Sequence, residues 1–331
     1  MSPRGARIYC GTPRQLSFLA RRLRAGELVA VPTETVYGLA ADAFNARACR
    51  RIFTVKGRPA SDPLIVHIAS RHDLERVAVP NEVARRLARA FWPGPLTLVL
   101  PKAAAVPDVV SAGLASVAVR LPAHPLFRRL LRLTGRPLAA PSANPFGYVS
   151  PTTADHVRRG LGRKIRHILD GGPARVGLES TIVDLRNPNR PRLLRPGGIS
   201  HRELVRVLGR PVARPRRAAS GRGGAQVAPG QLARHYSPHT PVTLHPRLPD
   251  RAATGKVRDE AWLFLQKPAR ARGRNIFWLD PRGDLPRAAR RLFSVLRRID
   301  EAGFKKIHAE LARGPGLAEA INDRLRRAAA R

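Results

Sequence analysis

Apolar residues at 16, 19, 20 and 23 recur at helical spacing and predict a helix over residues 14–25, with Gly26 as its stop. The next segment, Leu28-Val29-Ala30-Val31-Pro32, is a continuous apolar run too short for a helix, and it predicts a buried strand. The two signatures then alternate along the chain. Strands are predicted at 64–68, 96–100, 116–121, 165–170, 180–185 and 192–194, and helices around 46–55, 81–91, 125–133, 152–159 and 201–208. The order is that of an α/β protein. Several strand pairs leave no room for a crossover helix, so a twisted mixed sheet with flanking helices fits better than a regular doubly wound one.

At Gly209 the apolar periodicity stops. Arg210-Pro211-Val212-Ala213-Arg214-Pro215-Arg216-Arg217 and then Ser220-Gly221-Arg222-Gly223-Gly224 read as a flexible, basic linker. Beyond it the pattern resumes, with strands predicted at 261–265, 275–278 and 306–309 and helices at 286–301 and 317–329. The chain thus divides into residues 1–209, a linker of 210–240, and a small α/β unit of 241–331, Rossmann-like in outline. That unit has no G-x-G-x-x-G after its first strand, so no dinucleotide is assigned to it. No internal repeat is visible.

Composition changes this picture only in places. A chain of 331 residues with 43% hydrophobic content has enough apolar material for a large core. It has no run of about eighteen apolar residues, so no membrane span is expected. The start, Met1-Ser2-Pro3-Arg4-Gly5-Ala6-Arg7, lacks the apolar stretch of a secretory signal. Cys10 and Cys49 are too few for a disulfide framework. A cytoplasmic protein is expected. The formal charge of +38 raises a nucleic-acid reading. Lysine occurs only at 56, 102, 164, 256, 267, 305 and 306, however, and arginine is spread along the whole chain, which is also what a compositionally biased genome produces. Where arginine is the default cation, the lysine at 56 stands out.

Candidate chemistry gathers where predicted strands run out into loops, the usual place for ligands in α/β proteins. In Val55-Lys56-Gly57-Arg58-Pro59 a point charge and a planar fork lie two apart, stiffened by Gly57 and Pro59, and could hold one anion; alone, in most proteins, such a pair is a solvated helix end. Pro141-Ser142-Ala143-Asn144 puts two small hydrogen-bonding side chains in a turn after an apolar run. Thr33-Glu34-Thr35-Val36-Tyr37-Gly38 leaves a strand with two hydroxyls, a Glu and a Tyr, or is simply a strand-to-helix turn capped by Thr33. His67, Arg120 and Arg195 end strands; the bland alternative is a satisfied core histidine and two exposed arginines. Gly177-Leu178-Glu179-Ser180-Thr181 is a further loop of small hydroxyls before a strand.

In this order and spacing, and with Pro229-Gly230-Gln231-Leu232-Ala233-Arg234-His235-Tyr236-Ser237-Pro238 in the linker, the motifs resemble the YrdC-like family of L-threonylcarbamoyladenylate synthases in its two-domain form. The resemblance covers essentially the whole chain. It implies a YrdC-like twisted mixed sheet followed by a C-terminal Rossmann-like domain. It also implies condensation of L-threonine, bicarbonate and ATP to L-threonylcarbamoyl-AMP and pyrophosphate, for the machinery that modifies tRNA with threonylcarbamoyladenosine. By the same resemblance Lys56 and Arg58 are catalytic, and ATP meets Lys56, Arg58, Ser116, Ser142, Asn144, Ser150, Arg195, His235 and Tyr236. Threonine meets Thr33, Tyr37, His67, Arg120, Ala140 and Ser180, with Arg120 on its carboxylate, and the His235-Tyr236 stretch folds over the site as a lid. Mg²⁺ comes with ATP and not on protein side chains. Two positions depart from the family pattern: Asp62 where Asn is usual, a carboxylate that repels ATP unless it faces Arg58 or Mg²⁺, and Ala174 where Cys is common. Two rival readings are an RNA-binding or ribosome-assembly factor with a vestigial pocket, and a carbamoyl-adenylate-forming unit for metal-centre maturation. With two cysteines the chain has no zinc-finger module of the kind that accompanies the latter. The arginine excess leaves room for a weak contact with tRNA.

Overall fold

The computed structural model describes residues 5–214, 226–230, 235–249, 252, 254–255 and 257–330. Residues 215–225 and 231–234, which hold Arg216, Arg217, the Ser220–Gly224 run and the middle of the linker motif, lie outside the described residues.

In chain order the first part contains β1 (Arg7–Tyr9), α1 (Pro13–Arg24), β2 (Val29–Val31), β3 (Gly38–Asp42), α2 (Ala46–Lys56) and β4 (Ile65–His67). It continues with α3 (Glu82–Phe91), β5 (Leu96–Pro101), α4 (Asp108–Ser111), β6 (Ser116–Arg120), α5 (Pro125–Thr134) and β7 (Leu138–Ala139). After these come α6 (Ala154–Leu161), β8 (His167–Leu169), β9 (Thr181–Asp184), β10 (Arg192–Arg195) and α7 (His201–Leu208). The ten strands form one sheet in the order β1-β8-β2-β3-β7-β4-β6-β5-β9-β10, with parallel and antiparallel neighbours intermixed, as the crossover argument predicts.

Alternation along the strands explains why helices cover both faces. In β2 and β3, Ala30, Leu39 and Ala41 point to one face and pack with Ala48, Cys49 and Ile52 of α2. Val29, Val31 and Ala40 point to the other, against Leu16, Leu19 and Leu23 of α1 and Phe127, Leu130 and Leu131 of α5. Helix starts follow local chemistry: Thr12 and Gln15 form a capping box ahead of α1, and the Asn45 side chain accepts the Ala48 amide at the head of α2.

The second part contains β11 (Val242–His245), β12 (Glu260–Gln266), β13 (Ile276–Asp280), α8 (Leu285–Glu301), β14 (Lys306–Glu310) and α9 (Leu317–Ala329). Its four strands are parallel, in the order β11-β14-β12-β13. The core under this sheet does not stop at the unit's edge. Val36, Val149, Leu178 and Tyr236 belong to the same buried cluster as Leu292, Phe293 and Leu296 of α8 and Ile321 and Leu325 of α9. Where α8 passes the first part, the Arg290 Cα would lie 2.4 Å from a Cβ at position 177, and Gly177 there has a φ of +77°. Only glycine satisfies both the approach and the left-handed backbone.

Four strands are absent from the sequence reading. The turn after β2 leads to β3, paired antiparallel to β2, and not to a helix. Thr33 makes a local turn instead of a helix cap: its Oγ1 accepts the amides of Thr35 and Val36 and donates to the Val36 carbonyl at 2.6 Å. Beta7 is two residues long and β1 is a three-residue edge strand, both too short to carry periodicity. The fourth, β11, lies within the second unit and begins one residue after Pro241.

Candidate active site

The site is built from strand ends and the turns that follow them. Alpha2 ends at Gly57, whose left-handed φ of 67° reverses the chain and lets the Arg58 amide return to the Phe53 carbonyl. That reversal aims Lys56 and Arg58 at the same region, where both are buried. The Lys56 Nζ donates to the Ser142 and Asn144 carbonyls at 2.6 and 2.5 Å, tying the end of α2 to the 141–144 turn. Arg58 donates to the Asp62 and Pro63 carbonyls at 2.8 and 2.7 Å, and its guanidinium pairs with the Asp62 carboxylate at 2.9 Å. The departure at Asp62 is therefore absorbed: the carboxylate faces Arg58.

His67 and Arg120 are register partners at the ends of the parallel pair β4 and β6. Neither is exposed, and burial together with the Arg120 charge pushes the His67 imidazole down to about 3. Arg120 contacts the Glu34 carboxylate at 2.6 Å, off the angle of an aligned hydrogen bond, and donates to the Thr35 hydroxyl at 2.8 Å and the Gly94 carbonyl at 3.2 Å. Arg195 is turned inward by a bulge: the register of β10 against β9 shifts between Leu193 and Arg195. It donates to the Ser180 carbonyl at 3.0 Å and the Ser180 hydroxyl at 3.1 Å, and Ser180 Oγ lies 2.7 Å from the Thr97 hydroxyl.

Residues 229–230 and 235–236 roof the space so enclosed. Its volume is about 50 Å³, and its walls include Thr33, Thr35, Arg58, His67, Arg120, Ala140, Ser142, Glu179, Ser180, Arg195, His235 and Tyr236. Tyr236 takes a φ of 61°, and its hydroxyl would lie 2.8 Å from a Cβ at Gly230. His235 packs edge-on to Phe146 and to Tyr236.

The electrostatics follow from crowding. Burial, and then the Arg58 charge, holds the Lys56 ammonium well below its ordinary value, with Asp62 opposing. Burial also lowers Arg58 and Arg195. His235 is held well down by burial and then by Arg58, Lys56 and Arg195. On residues lining the cavity, His67 Nδ1, His235 Nδ1 and the Tyr236 hydroxyl lack hydrogen-bond partners. Cations that burial disfavours, beside unsatisfied donors and acceptors, make a receptor for a polyanion with polar substituents.

Of the sequence candidates, Thr33, Arg58, His67, Arg120, Ala140, Ser142, Ser180, Arg195, His235 and Tyr236 line this cavity. Lys56, Ser116, Asn144, Ser150 and Tyr37 do not line it directly. Lys56 and Asn144 stand behind Ser142, joined through the Lys56 contacts. Ser150 donates to Glu179 Oε1 at 2.5 Å. The Tyr37 phenol donates to the Gly172 carbonyl at 2.7 Å, lies 3.0 Å from Asp170 Oδ1 and accepts the Gly171 amide, so it braces the 170–172 turn. His67, Arg120 and Arg195 are in neither of the bland states expected of strand ends, since both arginines are buried and His67 Nδ1 has no partner. Sequence reasoning passed over Glu34, Thr35 and Glu179 as individual site groups, and it missed Arg324 altogether. Arg324 sits on a distant helix in a chain where arginine is ordinary, so no local signal marks it.

The fold and site define an α/β protein with a buried cavity walled by arginines, closed by residues 229–230 and 235–236 and backed by a second α/β unit. Comparison with known proteins gives the family. Residues 21–197 match the family described as Telomere recombination (Sua5/yciO/yrdC), and residues 199–330 match the family described as Threonylcarbamoyl-AMP synthase, C-terminal domain. The Pyrococcus abyssi threonylcarbamoyl-AMP synthase is 44% identical over 92% of this chain and 91% of its own length. The Bacillus subtilis threonylcarbamoyl-AMP synthase is 39% identical over 95% and 93%. A crystal structure of P. abyssi Sua5 complexed with L-threonine superposes with a TM-score of 0.89 at 40% identity, covering 97% of this chain and 96% of that one. The chain belongs to the two-domain threonylcarbamoyl-AMP synthase family.

Proposed function

We propose that this chain is an enzyme that condenses L-threonine, bicarbonate and ATP to L-threonylcarbamoyl-AMP and pyrophosphate, a nucleotidyl transfer that supplies tRNA threonylcarbamoyladenosine modification. The observation that carries the reading is the convergence of buried Arg58 and Arg195 on one cavity beside the His67–Arg120 pair, with buried Lys56 just behind its Ser142 wall. Threonine's amine and CO₂ or bicarbonate give an N-carboxylate. Its oxygen attacks the α-phosphorus of ATP, and pyrophosphate leaves with its bonding pair. Such a transfer needs alignment and charge neutralisation more than covalent help from the protein.

In this reading Lys56, Arg58 and Arg195 neutralise the phosphates, while Ser142, Asn144, Ser116 and Ser150 offer polar contacts to phosphates and ribose. Lys56 has committed two ammonium protons to carbonyls and keeps a third for the ligand. Threonine is assigned to the end of the cavity with Thr33, His67, Ala140 and Ser180, its carboxylate taking Arg120 in place of Glu34, and Tyr37 bracing that wall from behind. His235 and Tyr236 close over both substrates. Exclusion of water by that roof protects a mixed anhydride that hydrolyses readily.

Mg²⁺ enters on the phosphates in this scheme. Among the described residues no group of three or more His, Cys, Asp or Glu side chains is arranged to hold a metal ion, and Asp62 is committed to Arg58. The ion supplies charge neutralisation on the phosphate oxygens. The threonylcarbamoyl-transferring machinery is the proposed consumer of the product. No helix among the described residues is long and apolar enough to cross a membrane.

The test is pyrophosphate release from ATP by the purified protein with bicarbonate and Mg²⁺, with and without L-threonine. Release that depends strictly on threonine, with serine much weaker, is the expected result. No release under any of these conditions overturns the reading.

A further inference from the structure

The cavity wall contains one group that a site for ATP should not tolerate, the carboxylate of Glu179. It stands among the cations that the phosphates need, and it is almost wholly buried. Its partner comes from the other unit. Arg324, on α9 and with no exposed surface, donates from Nε to Glu179 Oε2 at 2.8 Å and from a terminal nitrogen to the Pro196 carbonyl at 2.9 Å. Its guanidinium also lies 5.3 Å from the centre of the Tyr236 ring. Asp323, beside it on α9, pairs with the same guanidinium at 2.7 Å and so keeps it oriented.

Each contact ends on something the site uses. Glu179 Oε1 accepts from Ser150, so the fixed carboxylate fixes that hydroxyl. Pro196 follows Arg195 directly. Tyr236 is the roof. A second arginine of the same unit, Arg297 on α8, works next to it: it donates to the Val149 and Ser150 carbonyls and stacks 4.7 Å over Tyr148. Some links between the units are exposed and lie outside the cavity wall, such as Arg159–Glu301 at 2.8 Å.

We propose that Arg324 is a positioning residue through which the C-terminal unit completes the catalytic site, by neutralising Glu179 and holding it with Ser150, Pro196 and Tyr236. The inference rests on the ATP-dependent reading above. A guanidinium bonded to a buried carboxylate both cancels its charge and fixes its place; removal leaves an uncompensated negative charge in the wall. That charge repels the triphosphate, so the loss falls on ATP affinity before turnover. A residue that merely docks one unit on the other would not show this charge logic.

The experiment measures ATP affinity by calorimetry and KM and kcat by pyrophosphate release, in full-length wild type, R324M, R324K, R324M/E179Q and E301Q, with thermal melts for each. Binding of ATP to wild type tests the underlying reading; the variants test the inference. Arg324→Met should weaken ATP on the order of tenfold or more and change kcat less, and Arg324→Lys should recover part of it. Removing the carboxylate as well, in R324M/E179Q, should restore most of the affinity. Glu301→Gln, which cuts an exposed link between the same units, should change neither constant. Normal ATP affinity in folded R324M overturns the proposal, as does an R324M/E179Q protein that binds ATP no better than R324M. Should R324M fail to fold, the comparison of R324K and R324M/E179Q with wild type decides: parallel losses of KM and kcat in both would reduce Arg324 to a docking residue.

Discussion

Lys56 is the residue whose chemistry decides most about this site. It is buried beside Arg58 and Asp62, and its pKa is held well below the ordinary lysine value by burial and then by the Arg58 charge. A polyanion placed against it favours the charged form, so ATP binding should draw in protons wherever the free ammonium is partly deprotonated. The sign is fixed: a depressed cation pKa that rises on binding means proton uptake, and ATP affinity that weakens as pH rises through that range. Calorimetry of ATP binding in buffers of different ionisation enthalpy reads the uptake directly, and Lys56→Ala should reduce it. The same variant should lose on the order of 10–10² in rate, since a charge-assisted hydrogen bond is worth about 1.5–3 kcal/mol. Near-wild-type turnover in a folded K56A protein would remove Lys56 from the phosphates. This residue was legible in the sequence because lysine is scarce and because Gly57 and Pro59 flank the pair. Arg120 and Arg195 were legible only as strand-end arginines. Their burial depends on Glu34 and on the β10 bulge, neither of which leaves a local mark.

At the scale of elements, what the sequence shows follows burial. Helices with one apolar stripe, such as α1 and α5, and strands buried on both faces, such as β5 and β6, were readable within a residue or two. The five-residue β3 was not, because Gly38-Leu39-Ala40-Ala41-Asp42 has weak strand propensity and is held in place by pairing with β2 and β7. The contact between α8 and the loop before β9 was equally invisible, although it carries a testable demand at Gly177. A methyl group there would meet the Arg290 backbone at 2.4 Å while the residue keeps a φ of +77°. Gly177→Ala should therefore cost about 1–3 kcal/mol and loosen α8 from the catalytic part. A lowered melting temperature together with raised KM for ATP is the expected result. An unchanged melt would mean that α8 shifts freely and that the two units are not held in register at this point.

For the whole molecule the dominant number is the formal charge of +38. That figure is already net of the acidic residues, so surface pairs such as Arg76–Asp73, Arg85–Glu75 and Arg89–Glu82, worth little individually, take nothing from it. The excess should give sequence-independent attraction to tRNA, with Kd of roughly 10⁻⁴ to 10⁻⁶ M at physiological salt. Filter binding of unmodified tRNA at about 50 and 200 mM salt should show that attraction collapsing, while KM for ATP, set inside a buried cavity, changes far less. Tight binding that survives the higher salt would instead point to a built tRNA site. The two separate sheets lie on either side of the break in composition that follows Gly209. The way the two units join was not visible in the sequence, because Arg297 and Arg324 look like every other arginine in the chain until burial distinguishes them. The pairing of Arg324 with Glu179 also ties the two units together in inheritance. A descendant that deleted the C-terminal unit would keep an orphan carboxylate in its own catalytic pocket. To survive the deletion it would have to mutate position 179 or raise a new cation nearby, so the loss of one unit should leave its trace in a single amino acid of the other.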